Sequence, residues 1–388
     1  MRFVALDSLR GIAALTVVVY HSMLVFPRLH GFLDGRGVPY AVSGDVTALV
    51  LTTTPPSLLW AGREAVLLFF VLSGFVLALP FMEDGRRPPG YPAFAAKRLV
   101  RLLLPCAAVA LLLAALVPAV GPRPRPELSA WFNGAWTETV TPGLVFGHAT
   151  LLLDGGYSLN SPMWTLHYEL RVSLLFPLLA LLAGAGTAVL GAAAAGGVLV
   201  CLAEMKFVGT GALTTLLFVP HFALGAMLAR HRREVAAGIA GLGAGAGTGL
   251  WLVCYALLTF RWLVPAGGLV CDLANGAGGA LLIALVLGSR RVRTALEAGP
   301  WPWLGAVSYS LYLVHVPVLL AALHLAPPGV PPWLVAAGAP LASLLAAAAL
   351  HRLVERPSIA LGRRVASWIE GRAGRAGERA EPALPSRR

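Results

Sequence analysis

The sequence predicts an all-α membrane protein with about ten transmembrane helices, and three observations lead to this fold class. Of the 388 residues, 57% are hydrophobic and only 12% are charged, whereas soluble domains carry about 25% charged residues. Apolar runs of roughly 20 residues, the length that crosses a bilayer, recur along the whole chain. Basic residues collect in alternate segments between these runs, which is typical of multi-pass membrane proteins.

The predicted spans are the apolar runs of membrane length, at residues 11–29, 57–82, 102–121, 163–184, 186–203, 210–229, 235–259, 269–288, 303–326 and 333–353. The first run follows a basic start, but it contains His21 and no small-residue cleavage pattern follows it. We therefore interpret it as a span rather than a signal peptide. Spans four and five are separated only by Gly184, Ala185 and Gly186, which predicts a tight hairpin. Prolines within spans are tolerated in membrane helices; they are Pro105, Pro177, Pro317 and Pro340.

Basic residues precede the first span and follow the even-numbered spans. They are Arg2, Arg10, Arg86, Arg87, Lys97, Arg98, Arg101, Arg230, Arg232, Arg233, Arg290, Arg291, Arg293, Arg352, Arg356, Arg363 and Arg364. The positive-inside rule then places both termini in the cytoplasm, and we expect a bacterial-type cytoplasmic (inner) membrane. We predict a transmembrane domain over 1–360 and a basic cytoplasmic tail over 361–388, whose polar composition favours disorder.

Neither the net charge nor the cysteines indicate a soluble binding protein. The net charge of +12 does not predict nucleic-acid binding, because the basic residues lie between apolar runs and form no stripe on a soluble domain. No cysteine belongs to a Cys-x-x-Cys pair, so we predict neither a disulfide framework nor a metal site. We expect the cysteines to pack as small hydrophobic residues; they are Cys106, Cys201, Cys254 and Cys271.

An arginine and a histidine mark the first predicted span. Arg10 and His21 are eleven positions apart, so on an α-helix they share a face and lie about 16 Å apart along the axis. We expect Arg10 near the cytoplasmic rim and His21 about halfway into the bilayer. An ionisable residue inside a span is a candidate functional residue. The alternative is a histidine whose ring is satisfied by a neighbouring helix.

The fourth predicted span contains a carboxylate, Glu169, which needs a partner because an isolated buried charge is costly. His21 is the expected partner, since a neighbouring carboxylate raises the basicity of a histidine and makes it a better general base. Arg171 points to another side of the helix. His167 is a rival for the base, but it lies nearer the outer rim of the predicted span.

Two arginines begin the third span. Arg98 and Arg101 are three positions apart and share a helix face, and together with Lys97 they form a cationic patch. Arginine binds phosphate through two parallel hydrogen bonds, so the patch suits a phosphorylated ligand. Ordinary positive-inside charge accounts for the same residues equally well.

Other polar and aromatic residues near the spans receive structural interpretations. We expect His315, in the middle of span nine, to hold that helix against a neighbour, and Tyr309 and Tyr312 to pack. Aromatic residues of the longer outer loops ordinarily anchor a protein at the membrane interface; they are Trp131, Trp136, Tyr157 and Trp164. Lining of an acceptor site is the alternative for these aromatic residues.

Six segments resemble, in order, the motifs of the acyltransferase-3 family of integral membrane O-acyltransferases. They are LDSLRGIAALTVVVYH (6–21), LFFVLSGFVLALPF (68–81), RLVR (98–101) with Pro105, SPMWTLHYELRVSLLFPLL (161–179), VSYSLYLVHVPVL (307–319) and VERP (354–357). One such segment alone is weak, whereas six in the expected order are specific. The resemblance runs from about residue 1 to residue 360.

The resemblance implies an enzyme that moves an acyl group, with acetyl as the expected group, from cytoplasmic acyl-CoA to a hydroxyl acceptor. It implies that His21 is the catalytic base or acyl-relay residue and that Glu169 is its partner. Arg98 and Arg101 are implied to bind the coenzyme A phosphates, and Arg10 to support the donor site. No metal is expected. The acceptor is a carbohydrate, a lipid-linked sugar or a small metabolite.

The chain departs from the family pattern at two positions. Thr165 stands where the family usually has serine, and Glu64 stands where an uncharged residue is expected. We predict that Glu64 and Trp164 contact the acceptor. The alternative function is a transporter or flippase of a lipid-linked or acylated substrate, because intramembrane His and Glu also suit proton relays. A structural or sensory membrane protein agrees less well with a deep His–Glu pair.

Overall fold

The computed structural model describes residues 3–33, 46–82, 88–152, 156–264 and 267–380, and every regular element in these ranges is a helix. Eight of these helices are long and apolar enough to cross a membrane. The main helices are α1 (Val4–Leu24), α2 (Gly62–Ala78), α3 (Tyr91–Val120), α4 (Met163–Ala185), α5 (Thr187–Phe207), α6 (Val219–Arg230), α7 (Ala244–Leu258), α8 (Gly268–Gly288), α9 (Trp301–Leu325), α10 (Pro332–Leu350) and α11 (Arg356–Ala380). The all-α multi-pass membrane fold is therefore confirmed.

Short helices connect the main ones. The α-helical connections are Pro27–Leu33, Val46–Thr53, Ala130–Asn133, Pro142–Thr150, Arg232–Ala240, Phe260–Leu263 and Arg290–Glu297. Tighter 3₁₀ turns occur at Pro55–Trp60, Leu79–Phe81 and Thr214–Leu217. A single π-helical turn, His351–Glu355, joins α10 to α11.

Two of the ten predicted spans are short apolar helices rather than full crossings by length. In place of the run 210–229, α6 has 12 residues, and in place of the run 235–259, α7 has 15 residues. The start of the predicted seventh span forms the separate helix Arg232–Ala240. Gly241 and Gly243 follow that helix, and glycine is a poor former of helix interiors, which explains the break.

The predicted hairpin between spans four and five is present. Only Gly186 separates α4 from α5, and its φ of +145° lies in a region that L-residues with a side chain rarely adopt. The four prolines predicted to lie inside spans are all within helices that continue past them.

The C-terminal helix corrects the expected start of the tail. The prediction places a disordered tail from residue 361, but α11 continues to Ala380. Its first turns pack on α3: Ser358 is buried, and a Cβ on Gly362 would lie 3.2 Å from the carbonyl oxygen of Lys97. This close contact gives the helix a tertiary support that composition does not reveal. Residues 381–388, and the predicted basic residues Arg2, Arg86 and Arg87, lie outside the described residues.

Helices α1 and α9 run parallel and touch through glycines. A Cβ on Gly11 would lie 2.5 Å from the backbone nitrogen of Gly305, so only glycine allows this approach. Helix α2 packs beside α1 in the centre of the bundle, where Leu72 and Phe75 are fully buried. Outer helices instead expose large apolar side chains such as Leu199, as expected where lipid replaces water.

Candidate active site

A polar cavity of about 490 Å³ enters the bundle between α1, α2, α3, α4, α9 and the π-helical turn. We call the end of the bundle that carries Arg10, Arg98 and Arg101 the basic end. The cavity is of the size that binds small ligands. Its polar lining residues are Asp7, Arg10, Ser73, Arg98, Arg101, Thr165, Glu169, Ser308, Tyr309, Tyr312, His351 and Glu355.

Glu169 has a different partner from the one that the sequence predicts. Its Oε1 atom accepts hydrogen bonds from Arg98 at 3.2 Å and from the hydroxyl of Ser73 at 3.1 Å. The expected His21–Glu169 pair is therefore replaced by an Arg98–Glu169 ion pair that links α3 to α4. The reason is position, since Arg98 and Glu169 both line the cavity, whereas His21 is not among its lining residues.

The three arginines of the cavity are not equivalent. Arg98 is paired with Glu169, and Arg10 lies 3.8 Å from a carboxylate oxygen of Asp7. Arg101 lines the same cavity and forms no ion pair with any carboxylate in the part of the chain that the structure describes. Arg101 is thus the guanidinium best able to bind an anionic ligand, because it gives up no existing partner.

A second carboxylate of the cavity is Glu355, which sequence reasoning missed as a site residue. It is 3% exposed and accepts hydrogen bonds from Ser310 at 2.6 Å and from the Nδ1 atom of His351 at 2.9 Å. The π-helical turn brings His351 and Glu355 into the cavity wall. The sequence feature that could have indicated Glu355 is the VERP segment, in which a single carboxylate lies within an arginine-rich stretch.

His21 lies in the last turn of α1, which begins at Val4 and ends at Leu24, before Pro27. Arg10 is eleven positions earlier on the same continuous helix, so the two residues are about 16 Å apart along its axis. Proline is a common stop signal just beyond a helix end. The side chain is partly exposed.

The partner of His21 is His315. Their rings lie 4.9 Å apart, and Nδ1 of His21 is 3.2 Å from Nε2 of His315. His315 is 1% exposed, so the pair is closed to solvent on the α9 side. The predicted structural role of His315 against a neighbouring helix agrees with this contact, and the neighbour is the helix that carries His21.

Hydrogen bonds to backbone carbonyls define the tautomers of both rings. Nδ1 of His21 is 2.9 Å from the carbonyl oxygen of Val17, and Nδ1 of His315 is 3.2 Å from that of Leu311. A carbonyl oxygen only accepts, so each Nδ1 carries the proton. Nε2 of His315 is then an acceptor for the Nδ1–H group of His21. Nε2 of His21 keeps its lone pair and makes no hydrogen bond with any described residue, which is the state of a general base.

Tyr312 separates the cavity from the histidine pair. Its hydroxyl group is 2.7 Å from the hydroxyl of Thr165, and its ring centroid is 5.7 Å from that of His315. The sequence predicted only packing for Tyr312 and for Tyr309, whose hydroxyl donates to the carbonyl oxygen of Leu102 at 2.8 Å. Both tyrosines also line the cavity.

The segment before α4 is attached to α9 beside the histidine pair. Pro317 has no N–H group, so the carbonyl oxygen of Leu313 lacks its usual helical donor. The side-chain amide of Asn160, which is fully buried, donates to that oxygen at 2.8 Å. This bond holds the segment just before α4 next to α9, so that Thr165, in the first turn of α4, faces Tyr312 of α9.

The long connection between α3 and α4 covers the opposite end of α1. The amide of Ser129 donates to the carbonyl oxygen of Val25 at 2.8 Å. This contact brings the ring of Trp131 to 5.5 Å from that of His21. Trp131, for which the sequence allows either an interface anchor or a lining residue of the acceptor site, therefore lies beside the candidate base.

The two predicted acceptor contacts lie outside the cavity lining. The ring of Trp164 packs against Tyr168 at 5.9 Å and Phe218 at 6.1 Å. Glu64 is 4% exposed in the first turn of α2, and its Oε1 atom has no hydrogen-bond partner among the described residues. Neither residue lines the cavity with Arg10, Arg98 and Arg101, and neither makes a hydrogen bond or ring contact with His21 in the described part of the chain.

The remaining candidate residues are buried among the helices and their connections. The predicted rival base, His167, is 3% exposed and its Nδ1 atom lies 2.8 Å from the carbonyl oxygen of Leu151 and 2.9 Å from the hydroxyl of Tyr157. All four cysteines are buried and free. Within the described ranges, no three His, Cys, Asp or Glu side chains form a group that could hold a metal ion.

These features define a multi-pass helical membrane protein with a cavity that is lined by three arginines and three carboxylates and lies close to a pair of histidines. Residues 3–352 match the family model described as "Acyltransferase domain", so the chain belongs to the acyltransferase-3 family and is an acyltransferase. It is also similar to "Protein 2 in picA locus" of Rhizobium radiobacter, at 31% identity over 185 residues, which are 45% of this chain and 81% of that protein. No solved structure gives a significant match.

Proposed function

We propose that this membrane acyltransferase transfers an acetyl group from acetyl-CoA to a hydroxyl group of a carbohydrate, a lipid-linked sugar or a small metabolite. The observation that carries this proposal is the cavity itself. Its arginines lie at one end, and its other end is closed by Tyr312, which contacts the His21–His315 pair through His315. A donor with a charged head and a long, uncharged arm fits this polarity.

The basic end binds the phosphates of the donor. Arg101 supplies a guanidinium with no described carboxylate partner, and Arg10 supplies a second one that is 3.8 Å from Asp7. Arg98 acts mainly on Glu169, which it holds at 3.2 Å. This assignment differs from the family expectation, because Arg98 is a support of the cavity wall rather than an open phosphate ligand.

The reaction takes place beside His21, on the far side of Tyr312 from the cavity. Nε2 of His21 removes the proton of the acceptor hydroxyl as its oxygen attacks the thioester carbonyl carbon. The tetrahedral intermediate then collapses, the carbon–sulfur bond breaks, and the leaving sulfur takes the proton from His21. The products are the acyl ester and coenzyme A with a free thiol. The thioester reaches His21 past Tyr312, so the Tyr312–Thr165 hydrogen bond opens when the donor is bound.

The basic end faces the cytoplasm in this proposal, and the membrane is the cytoplasmic (inner) membrane. The support comes from the arginines at this end, since basic residues accumulate on the cytoplasmic side. Acyl-CoA then enters from the compartment that contains it. Trp131 and the connection between α3 and α4 lie at the opposite end of α1, where they border the acceptor side of His21.

The test uses membranes of a deletion strain of the source organism that carries either the wild-type gene or His21→Ala. The membranes supply the native acceptor, and the probe is acetyl-CoA with a labelled acetyl group. We expect the wild-type protein to release free thiol and to place the label in a non-protein product. Loss of a general base lowers such rates by about 10²- to 10⁴-fold, so His21→Ala is expected to transfer little or no label.

Ser343→Ala is the matched control, because Ser343 is buried in α10 away from the site and its hydroxyl makes no hydrogen bond with a described residue. Its activity should equal that of the wild type. A transporter without chemistry would release no thiol from acetyl-CoA in any of the strains. Normal transfer by His21→Ala would overturn the assignment of the base.

A further inference from the structure

We infer that His315 is a positioning residue for His21: it holds the Nδ1–H group and shares the positive charge that develops when Nε2 takes a proton. This inference rests on the proposed role of His21 as the base. His315 contacts His21 and not the reacting atoms, so it acts through His21. In this role it occupies the place that a carboxylate takes beside the histidine of many hydrolases.

The geometry of the two rings supports this role. Nε2 of His315 must be an acceptor, because its Nδ1–H group is directed to the carbonyl oxygen of Leu311 at 3.2 Å. The hydrogen donated by Nδ1 of His21 lies between two acceptors, Nε2 of His315 at 3.2 Å and the carbonyl oxygen of Val17 at 2.9 Å. Because the Nδ1–H group of His21 has two acceptors, the tautomer with the proton on Nδ1 is favoured. The lone pair of the ring then remains on Nε2.

The pair is held by the backbone and does not depend on flexible side chains. Gly11 of α1 contacts Gly305 of α9. Ten residues further along each helix, His21 contacts His315. Ten residues advance about 15 Å on a helix, so the two parallel helices stay in register over this distance. Reorientation of His315 would require α9 to slide or rotate against α1, and the glycine contact opposes both movements.

Among the described residues, no carboxylate competes for this role. Neither histidine forms an ion pair with a described Asp or Glu, and Glu169, the carboxylate expected to pair with His21, is engaged by Arg98 and Ser73. The other rings around His21 are Tyr20 at 5.2 Å and Trp131 at 5.5 Å, and an indole accepts no hydrogen bond. His315 is therefore the side chain that accepts from Nδ1 of His21.

A purely structural role makes different predictions from a positioning role. In a structural role the ring fills volume between α1 and α9, and leucine at position 315 would preserve most of that packing. In a positioning role the acceptor atom matters, so leucine fails while glutamine, whose side-chain oxygen accepts a hydrogen bond, retains function. The two substitutions therefore separate packing from hydrogen bonding at one buried position.

The first measurement is acetyl transfer from labelled acetyl-CoA in the native membranes described above. Hydrogen-bonded partners that orient the histidines of metal sites are worth about 10- to 100-fold, and we take the same range for a partner that orients a base. We expect His315→Leu to lower kcat by that factor and to leave the KM for acetyl-CoA within about twofold, because the donor arginines lie in the cavity. We expect His315→Gln to recover most of kcat, and Ser343→Ala to match the wild type.

The second measurement reads the tautomer without any acceptor. The full-length protein is labelled with ¹⁵N-histidine in lipid nanodiscs, and the His21 signals are assigned from their loss in His21→Gln. The expected wild-type spectrum shows a protonated Nδ1 and an unprotonated Nε2 on neutral His21. In His315→Leu we expect a share of the Nε2–H tautomer, which changes in packing alone would not produce.

The outcomes separate the two proposals. If wild-type membranes release no thiol from acetyl-CoA, the proposed function fails, while the tautomer measurement still tests the effect of His315. If the wild type is active and His315→Leu has the same kcat and the same tautomer, the positioning role is overturned. Equal impairment of the leucine and glutamine variants would overturn it as well, because the acceptor atom would then be irrelevant.

Discussion

Nδ1 of His21 lies 3.2 Å from Nε2 of His315. The two histidines are 294 positions apart in the sequence, as are Gly11 and Gly305, which contact each other on the same two helices. The candidate base is thus positioned by a helix–helix register. Because that register is set some 15 Å away, near the basic end, Arg10 and the histidine pair belong to one packed unit of α1 and α9. The predictions below test this unit and its surroundings.

Gly305→Ala should impair both stability and catalysis. A Cβ at Gly305 would overlap the backbone of α1 at Asp7 and Ser8, so the helices must separate and the His21–His315 contact must lengthen. We expect a lower melting temperature and a lower transfer rate from labelled acetyl-CoA. Gly338→Ala in α10 is the control, because a Cβ there meets no atom within 4 Å. The control should gain up to about 1 kcal/mol from helix propensity.

Arg98 and Glu169 should be energetically coupled. Removal of either partner leaves the other charge in a cavity wall where the two side chains are only 12% and 17% exposed. We expect Arg98→Ala and Glu169→Ala each to lower the free energy of unfolding, and the double variant to lose less than the sum. Thermal unfolding of the four proteins should give a coupling energy between about 0.5 and 3 kcal/mol. Strict additivity would contradict the ion pair.

Arg101→Ala should weaken donor binding without disabling the chemistry. A charge-assisted hydrogen bond contributes about 1.5–3 kcal/mol, so the KM for acetyl-CoA should rise about tenfold or more while kcat changes little. Arg291→Ala removes the same charge from an exposed position in the helix Arg290–Glu297 and should leave KM unchanged. Equal KM values for the two variants would exclude Arg101 from the donor site.

The contribution of the Asn160–Leu313 hydrogen bond to the free energy of unfolding should depend on Pro317. Asn160→Ala leaves the buried carbonyl oxygen of Leu313 without a donor, which costs about 1–3 kcal/mol. In a Pro317→Ala background, residue 317 regains an N–H group that can bond to Leu313, so the same substitution should cost less. Thermal unfolding of the two single variants and the double variant measures this rescue. A loss that is independent of residue 317 would contradict the explanation.

The orientation of the bundle can be tested with cysteine labelling, because all four native cysteines are buried. Thr137→Cys and Arg291→Cys introduce thiols at exposed positions, one in the connection between α3 and α4 and one at the basic end. In intact cells of a strain without an outer-membrane barrier, a membrane-impermeant maleimide should label Thr137→Cys. Arg291→Cys should react only after permeabilisation. The reverse pattern would place the basic end outside.

The predictions from sequence succeed where local chemistry decides the outcome. Long apolar runs specify helices because the bilayer leaves no other partner for backbone groups, and the Gly184-Ala185-Gly186 stretch between two such runs predicts the α4–α5 hairpin. The same local reasoning fails for the short helix α7, since glycines near its start break a run that is apolar throughout. It also fails for the tail, where α11 is supported by contacts with α3.

The sequence by itself determined the fold class, the family motifs and the residues of interest, because hydrophobicity, charge and motif spacing are properties of the chain alone. Only the tertiary structure decided the pairs: Glu169 with Arg98, and His21 with His315. His21 and His315 are 294 positions apart, so no periodicity within one helix relates them. Their contact follows from the parallel packing of α1 and α9 through Gly11 and Gly305, which is a property of two helices together.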